Sequence, residues 1–390
     1  MALIPRALWL SVHKWIGLCL GIWIALQGLT GAFLVYKLEI QAGLDPQLYR
    51  TGSPTKRIDY DGMVESVAKS FPGYRIAYLE RDGMASDEAF RFIVQRLGVA
   101  PSPFTDREVF VHPSTAAIVG DRDWLTFTKA VWVLHNGLIA GRLGEDVVGY
   151  LALVLLVFLL GGIIIWWPKK GGFRRALRIN IRSSLPKLIR DLHTVSGIYA
   201  VVALLTIALT GLTVIFPKQA HAAISLFTEV RPSSSFTSDT TMPRVRRDRQ
   251  TQSAAPSLNA LAATIEQEYP RSTVTLLLFP HNSEKGTFTF RILPAGVNPF
   301  VYTTQDYKHP KDGHIIGRFD PANQPAANSF LGTWAVYLHT GHLGGTTGRL
   351  AVFASGLFLA SLFLPAYIYG RKSVPLVSSS GHSNRRAPKH

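Results

Sequence analysis

The sequence predicts a membrane protein with four transmembrane helices, arranged as a duplicated unit of helix, outer domain and helix, in which the two outer domains are small α+β folds. Three observations predict this class. The chain has 390 residues, of which 47% are hydrophobic and only 17% are charged, whereas soluble proteins carry about 25% charged residues. The hydrophobic residues are concentrated in four long runs. Finally, the same short motifs recur in the two halves of the chain.

Four apolar stretches are long enough to cross a bilayer, which takes about 20 residues. They are residues 16–36, 147–167, 195–216 and 350–370. The first stretch follows a short basic start, as a secretory signal peptide would. However, its apolar run is longer than the roughly 7–15 residues of such a peptide, and no small-x-small cleavage site follows it. We therefore expect it to be a retained membrane anchor.

Lysine and arginine residues concentrate on one side of the predicted spans. Loop 168–192 holds eight of them against one aspartate, and the tail after residue 370 holds five and no acid. The two large segments are close to neutral, with 12 basic and 13 acidic residues in 37–130, and 12 and 9 in 217–330. Because short loops rich in lysine and arginine stay in the cytoplasm, we predict that both termini and loop 168–192 are cytoplasmic. The net charge of +16 is thus explained by topology, which argues against nucleic acid as a partner.

The predicted spans divide the chain into eight segments. They are the first span (1–36), a first outer domain (37–130), an outer histidine segment with the second span (131–167), a basic cytoplasmic loop (168–192), the third span (193–216), a second outer domain (217–330), an outer histidine segment with the fourth span (331–370) and a cytoplasmic tail (371–390). Residues 60–71 and 258–269 have helical spacing, and alternating stretches follow each of them. We therefore expect each outer domain to be one helix packed on a small antiparallel sheet. Residues 231–256 are polar and indicate a mobile insertion.

Motifs at the ends of the spans recur with the same spacing, which indicates an internal duplication. Residues 13–31 align without gaps on residues 193–211, and both stretches end in Leu-Thr-Gly. The LHNG box at 134–137 matches the LHTG box at 338–341. The matched residues are His13 with His193, Gly17 with Gly197, His135 with His339, and Arg142 with Arg349. The chain is therefore interpreted as two copies of one unit.

The duplication places two histidines near each membrane face. His13 and His193 fall at the inner ends of the first and third spans, and His135 and His339 lie just before the second and fourth spans, on the outer side. An ionisable residue at a membrane span is a functional candidate by default, although duplication copies structural residues as readily as functional ones. His342 is a rival to His339, three residues further along. We favour His339 because it alone has a matched partner in the repeat.

The residues around the histidines restrict the kinds of site that the histidines could form. A proton relay would need carboxylates beside them, and the four predicted spans contain none. A zinc site needs three or four ligands at one place. Cys19 is the only cysteine, which excludes disulfides, iron–sulfur clusters and cysteine-ligated zinc. Two histidines facing each other across a helix bundle suit the two axial positions of a haem iron.

The neighbours of the histidines are compatible with a porphyrin. Gly17 and Gly197 lie four residues after the inner histidines, on the same helix face. A missing side chain there leaves room for a flat macrocycle, although close helix packing is the alternative reading. Arg142 and Arg349 suit the carboxylates of haem propionates and, equally, the phosphates of lipids.

With these motifs the chain resembles the PepSY-associated transmembrane family over nearly its whole length. Within that family it looks closest to the FoxB-type inner-membrane ferrisiderophore reductases. The resemblance implies two PepSY-like domains in the periplasm and two b-type haems per chain. It also implies outward electron transfer that reduces a ferric siderophore and releases Fe(II). The axial ligands that it implies are His13 with His193 and His135 with His339.

The electron donor is expected to be a separate molecule. Loop 168–192 is too short for a flavin or dinucleotide domain, so a reduced flavin, a separate reductase or a membrane quinol must supply electrons. Two other classes of function stay open. The chain could be a PepSY-type binding or regulatory protein whose histidines only pack helices. It could also be a component of siderophore or metal transport, which the lack of intramembrane acids disfavours.

Overall fold

The computed structural model describes residues 5–51, 57–81, 88–100, 102, 104–168, 172–231, 256–280, 286–297, 303–308 and 312–362. The predicted insertion at 231–256 and the tail at 371–390 lie outside these residues, except for the insertion's two end positions, and so does the last part of the fourth predicted span. The α-helices are α1 (Arg6–Leu34), α2 (Lys37–Leu44), α3 (Pro46–Tyr49), α4 (Tyr60–Ser70), α5 (Phe127–Gly137), α6 (Gly141–Trp166), α7 (Phe173–Ala176), α8 (Leu185–Ile215), α9 (Pro217–Ser225), α10 (Leu258–Glu268), α11 (Ala326–Ser329), α12 (Ala335–His339) and α13 (Gly345–Ser361). A π-helical turn, Phe330–Trp334, joins α11 to α12, and two 3₁₀ turns span Pro321–Asn323 and His342–Gly344.

Four helices among the described residues are long and apolar enough to cross a membrane, which confirms the predicted number of spans. They are α1, α6, α8 and the segment His342–Ser361, which contains α13. Helices α1 and α8 begin about two turns before His13 and His193, the histidines that were expected at their starts. In α8 this extension is compatible with Pro186, because a proline in the first helical turn removes no helix hydrogen bond.

The four long helices pack as a bundle. Helix α1 lies along α13 and α6, and α8 lies along α6 and α13. A layer of buried apolar side chains, with members from all four helices, fills the middle of the bundle: Ile24, Leu159, Val201, Leu204 and Leu359. One end of the bundle connects to the β-sheet, and we call it the sheet end. The other, at the first residues of α1 and α8, is the distal end.

Two glycines bring α1 and α13 into backbone contact. A Cβ atom added at Gly28 would lie 2.5 Å from the carbonyl oxygen of Gly356, and one added at Gly356 would lie 2.5 Å from that of Gly28. Small residues at such a crossing let membrane helices approach closely, which is how they gain packing energy without a hydrophobic driving force.

Gly28→Ala is expected to destabilise the bundle, because the new methyl group forces α1 and α13 apart. Overpacking of this kind costs about 1–3 kcal/mol, which should lower the thermal unfolding midpoint of the detergent-purified protein. Gly43→Ala in α2 is the control, since no described atom lies within 4 Å of its added Cβ. Equal midpoints for the two variants would contradict the close crossing.

The outer segments form one continuous antiparallel sheet of eight strands. Its strands are β1 (Tyr74–Glu80), β2 (Phe90–Arg96), β3 (Arg107–Val111), β4 (Ile118–Asp123), β5 (Thr273–Leu278), β6 (Phe288–Leu293), β7 (Thr304–Lys308) and β8 (Ile315–Phe319). Their order is β4-β3-β2-β1-β5-β6-β7-β8, so β1 and β5 join the two four-stranded halves, with Leu79 opposite Leu277. Helices α4 and α10 pack on one face, and side chains from both halves share one apolar core.

This architecture corrects the expectation of two separate outer domains. Each segment supplies four strands and the helix, α4 or α10, that packs on them, but the two sets merge into a single domain. The physical reason is that β1 and β5 would otherwise each leave an open strand edge, and pairing them satisfies the backbone groups of both. Both helices begin with a side-chain cap, since Asp59 accepts from the Gly62 amide and Ser257 from the Ala260 amide.

A buried cluster of charged residues ties the first half of the sheet to α5. Glu108 on β3 is fully buried and binds the guanidinium groups of Arg91 at 3.0 Å and Arg122 at 2.7 Å. The Lys129 ammonium of α5 lies 3.6 Å from the same carboxylate. Burial lowers the pKa of Lys129. Arg122 also reaches Asp45 at 2.5 Å, which connects the cluster to the α2–α3 segment. The start of α5 is thereby held against the sheet.

Candidate functional site

Two histidines meet near the distal end of the bundle, and we call them the distal pair. His13 on α1 and His193 on α8 have ring centroids 6.3 Å apart, with the ring planes nearly perpendicular at 85°. The His13 ring stacks on Phe158 of α6 with a centroid distance of 4.0 Å. Its Nδ1 donates a hydrogen bond to the Phe158 carbonyl oxygen at 3.2 Å. A carbonyl oxygen can only accept, so Nδ1 carries the proton and Nε2 keeps its lone pair.

Two further histidines meet near the sheet end, and we call them the sheet-end pair. His135 on α5 and His339 on α12 have ring centroids 6.4 Å apart at an angle of 56°. His342 is not part of this pair. Its Nδ1 lies 2.9 Å from the Thr340 hydroxyl, and its ring contacts Tyr337 at a centroid distance of 6.4 Å. The residue that faces His135 is therefore His339.

The threonine of each Leu-Thr-Gly motif binds a histidine of the sheet-end pair. The Thr30 hydroxyl donates to the Leu26 carbonyl oxygen at 2.7 Å, so it accepts from His135 Nδ1 at 2.8 Å. The Thr210 hydroxyl donates in the same way to the carbonyl oxygen four residues earlier, at 2.6 Å. His339 Nδ1 lies 3.4 Å from Thr210 Oγ1. It lies closer, at 2.9 Å, to the carbonyl oxygen of residue 207. Both histidines thus carry the proton on Nδ1 and keep the lone pair on Nε2.

The glycine of each Leu-Thr-Gly motif makes room for the same rings. A Cβ atom added at Gly31 would lie 3.1 Å from Cε1 of His135, and one added at Gly211 would lie 3.0 Å from Cε1 of His339. Sequence reasoning noted this motif as a repeat but gave it no role. The sequence signal that could have indicated this role is the recurrence of a hydroxyl followed by a glycine at the same position of two otherwise apolar spans.

The glycine of each LHxG box lies against the first turn of the membrane helix that follows the histidine. Gly341 has a left-handed backbone, with φ of +80°, and a Cβ atom there would lie 2.5 Å from the carbonyl oxygen of Gly348. In the first half, a Cβ at Gly137 would lie 3.8 Å from the carbonyl carbon of Gly144. Each histidine-bearing helix therefore packs its last turn directly on the first turn of the following membrane helix.

The spacing of the two pairs matches that of two imidazoles on one metal ion. A metal–imidazole bond is about 2 Å, and the ring centre lies about 1 Å beyond the nitrogen, so two opposed rings have centroids about 6 Å apart. The observed values are 6.3 and 6.4 Å. In the described part of the chain no group of three or more histidine, cysteine, aspartate or glutamate residues could hold a metal. A donor set of two imidazoles fits a haem iron, whose other four ligands come from the porphyrin.

The two glycines beside the distal pair differ in their surroundings. A Cβ at Gly17 would lie 3.7 Å from the Phe158 ring, the same ring that stacks on His13. At Gly197, no described atom lies within 4 Å of the added Cβ. The position at Gly197 is therefore open, whereas the position at Gly17 is covered by the Phe158 ring.

The two candidate arginines already bind groups of this chain. Arg142 is exposed and pairs with Glu145 at 3.3 Å and Asp146 at 3.1 Å on its own helix. Arg349 binds the Glu39 carboxylate and donates to the Val35 carbonyl oxygen at 3.0 Å. Its Nε is buried without a hydrogen-bond partner. Arg349 thus fastens the end of α1 to α13 and retains one buried donor, whereas Arg142 faces outward.

The two pairs are separated along the bundle by apolar packing. Thr30, which binds the sheet-end pair, follows His13 by 17 residues on α1, a rise of about 26 Å at 1.5 Å per residue. The buried apolar layer that includes Ile24 and Leu359 lies between them. The bundle therefore holds two equivalent donor sets at two depths.

Residues 10–372 match the family model described as the PepSY-associated TM region. A search of curated proteins found no match.

Proposed function

We propose that this chain, which belongs to the PepSY-associated TM region family, is a di-haem b reductase of the bacterial inner membrane. It passes electrons from the cytoplasmic side to the periplasm, where it reduces Fe(III)-siderophore and releases Fe(II). The proposed function is the same as that of the FoxB-type reductases. The observation that carries the proposal is the presence of two imidazole pairs, with centroid spacings of 6.3 and 6.4 Å, at two depths of a four-helix bundle.

Each pair would hold one haem iron. His13 and His193 are the proposed axial ligands at the distal end, and His135 and His339 are those at the sheet end. A bound b-type haem supplies reversible one-electron chemistry, while the protein orients it and tunes its potential. The chain's own contribution is to fix Nδ1 as the protonated nitrogen of three of these rings. The acceptors are the Phe158 carbonyl oxygen for His13, Thr30 for His135, and the Ile207 carbonyl oxygen together with Thr210 for His339.

The proposed direction of electron flow follows from charge. The distal end carries the basic loop, with exposed arginines such as Arg174 and Arg182, and a basic short loop is typical of the cytoplasmic side. The proposed donor there is a reduced flavin, a separate reductase or a quinol. The sheet would then lie in the periplasm with both termini in the cytoplasm, and the proposed partner on the sheet side is a ferric siderophore.

Release of iron follows from the chemistry of the chelate. An oxygen-rich siderophore binds Fe(III) tightly because both are hard, and it holds Fe(II) far less tightly. One electron delivered to the complex on the sheet side therefore frees Fe(II), and the chain need supply no acid or nucleophile. This is consistent with the absence of carboxylates from the four predicted spans.

The test is a visible spectrum of protein purified from haem-replete cells, followed by an Fe(II)-trapping assay. We expect reduced-minus-oxidised bands of bis-histidine b haem, and chelator-trapped Fe(II) when the reduced protein is mixed with a ferric siderophore. A folded, colourless protein would refute the proposal and favour the binding or regulatory class. A coloured protein that reduces no ferric chelate would support haem binding but would exclude a ferric siderophore as the substrate.

A further inference from the structure

We infer that Thr30 is a positioning residue, which fixes the tautomer of His135 and sets the electron-donating strength of that ring separately from the distal pair. The inference deepens the proposed function, and its redox consequence rests on that function. The structural part stands on hydrogen bonds of the chain alone. Thr30 is buried in α1, and its hydroxyl is the hydrogen-bond partner of the His135 ring among the described residues.

The hydroxyl proton of Thr30 is already committed. It points to the Leu26 carbonyl oxygen at 2.7 Å, with the Gln27 carbonyl oxygen at 3.3 Å. Only the lone pairs of the oxygen remain for His135, so the ring nitrogen 2.8 Å away must be the donor. A single hydroxyl in an apolar span therefore decides which nitrogen of His135 carries the proton and which keeps a lone pair.

In the second half of the chain, the Nδ1–H of His339 has two hydrogen-bond acceptors instead of one. His339 Nδ1 lies 2.9 Å from the Ile207 carbonyl oxygen and 3.4 Å from Thr210 Oγ1. The matching carbonyl oxygen of the first half is that of Gln27, which lies 3.3 Å from Thr30 Oγ1 and makes no hydrogen bond with the His135 ring among the described residues. The Gln27 side-chain amide donates to the His135 backbone carbonyl at 3.1 Å. Loss of the hydroxyl at Thr210 leaves a carbonyl acceptor in place. Loss of the hydroxyl at Thr30 leaves none among the described residues.

The lack of a second acceptor for His135 has a chemical consequence at a bound metal. A hydrogen bond from Nδ1–H to an acceptor raises the basicity of the imidazole and fixes its orientation. A more basic ligand stabilises oxidised iron over reduced iron. Removing the acceptor of His135 should therefore make the sheet-end haem easier to reduce, while the distal haem, whose His13 is held by the Phe158 carbonyl oxygen, is unaffected.

The experiment compares the full-length variants Thr30→Val, Thr30→Ser and Thr210→Val with the parent protein. Valine keeps the shape of threonine and removes the acceptor, and serine keeps the acceptor. In a spectroscopic redox titration, Thr30→Val should shift one midpoint potential upward and leave the other unchanged. Thr30→Ser should keep the midpoint potentials of the parent protein. Thr210→Val should shift the midpoint potential of the sheet-end haem less than Thr30→Val does. Equal shifts in the two valine variants, or a shift of both midpoints in Thr30→Val, would overturn the inference.

A second readout separates this inference from the proposed function. In haem-free protein labelled with ¹⁵N-histidine, the parent should show His135 as a single Nδ1–H tautomer. Thr30→Val should lose that signal, and Thr30→Ser should keep it. A protein that binds no haem but shows this loss would refute the reductase proposal and retain the positioning role. An unchanged His135 tautomer in Thr30→Val would refute the positioning role whether or not haem is bound.

Discussion

Under the proposed function, replacing His135 with alanine is expected to reduce the haem content of the purified chain from two groups to one. The sheet-end pair then lacks one axial ligand, because no other described histidine faces His339 across the bundle. The distal pair lies about 26 Å away along α1 and keeps both of its rings. The same result is expected for His339→Ala. In a pyridine haemochrome assay both variants should lose half of the haem per protein.

His342→Ala is the matched control for these variants. It removes a histidine three residues from His339, but one whose ring contacts Tyr337 and Thr340 rather than His135. It should keep both haems. Loss of haem in His342→Ala, or loss of both haems from folded His135→Ala, would contradict the assignment of the pairs. His13→Ala should give the mirror result, with loss of the distal haem alone.

Glu108→Ala is expected to destabilise the outer domain by about 3–5 kcal/mol, because it leaves buried cations without their shared counter-charge. Arg91 and Arg122 bind this carboxylate directly, and the Lys129 ammonium lies 3.6 Å from it. The carboxylate itself is fully buried, so water cannot replace it without opening the sheet. The midpoint of thermal or chemical unfolding, followed by β-sheet circular dichroism, should fall markedly.

Asp123→Ala provides the comparison for a surface ion pair in the same sheet. Asp123 bonds to Arg107 at 2.8 Å, but its side chain is 81% exposed. Exposed pairs contribute about 0–1 kcal/mol, so this variant should unfold close to the parent protein. A Glu108→Ala protein as stable as Asp123→Ala would show that the buried cluster does not hold the sheet to α5.

The sequence was sufficient to predict the four long apolar helices and the members of the pairs, because both leave strong local signals. An apolar run longer than 20 residues has few alternatives, and the matched boxes singled out four histidines among the twelve in the chain. The choice between His339 and His342 required more. It depends on where α12 ends and on the left-handed turn at Gly341, which together aim one ring inward and leave the other beside Tyr337.

Two features could not be predicted because they arise between distant parts of the chain. The pairing of β1 with β5 joins strands about 200 residues apart, and no motif in either strand specifies the other as a partner. The Thr30–His135 hydrogen bond crosses from one helix to another. A threonine in a membrane helix more often bonds only to its own backbone, as Thr30 also does with Leu26, so its second role needs the packed bundle to be seen.

The continuous sheet has a consequence for how such a chain can be divided. Each histidine pair takes one ring from each half, so residues 1–180 on their own would contain His13 and His135 but neither partner. The same fragment would present β1 as an open strand edge. The sheet and both histidine pairs therefore depend on the two halves being present in one chain, although matched positions in the halves differ, as Gln27 and Ile207 do.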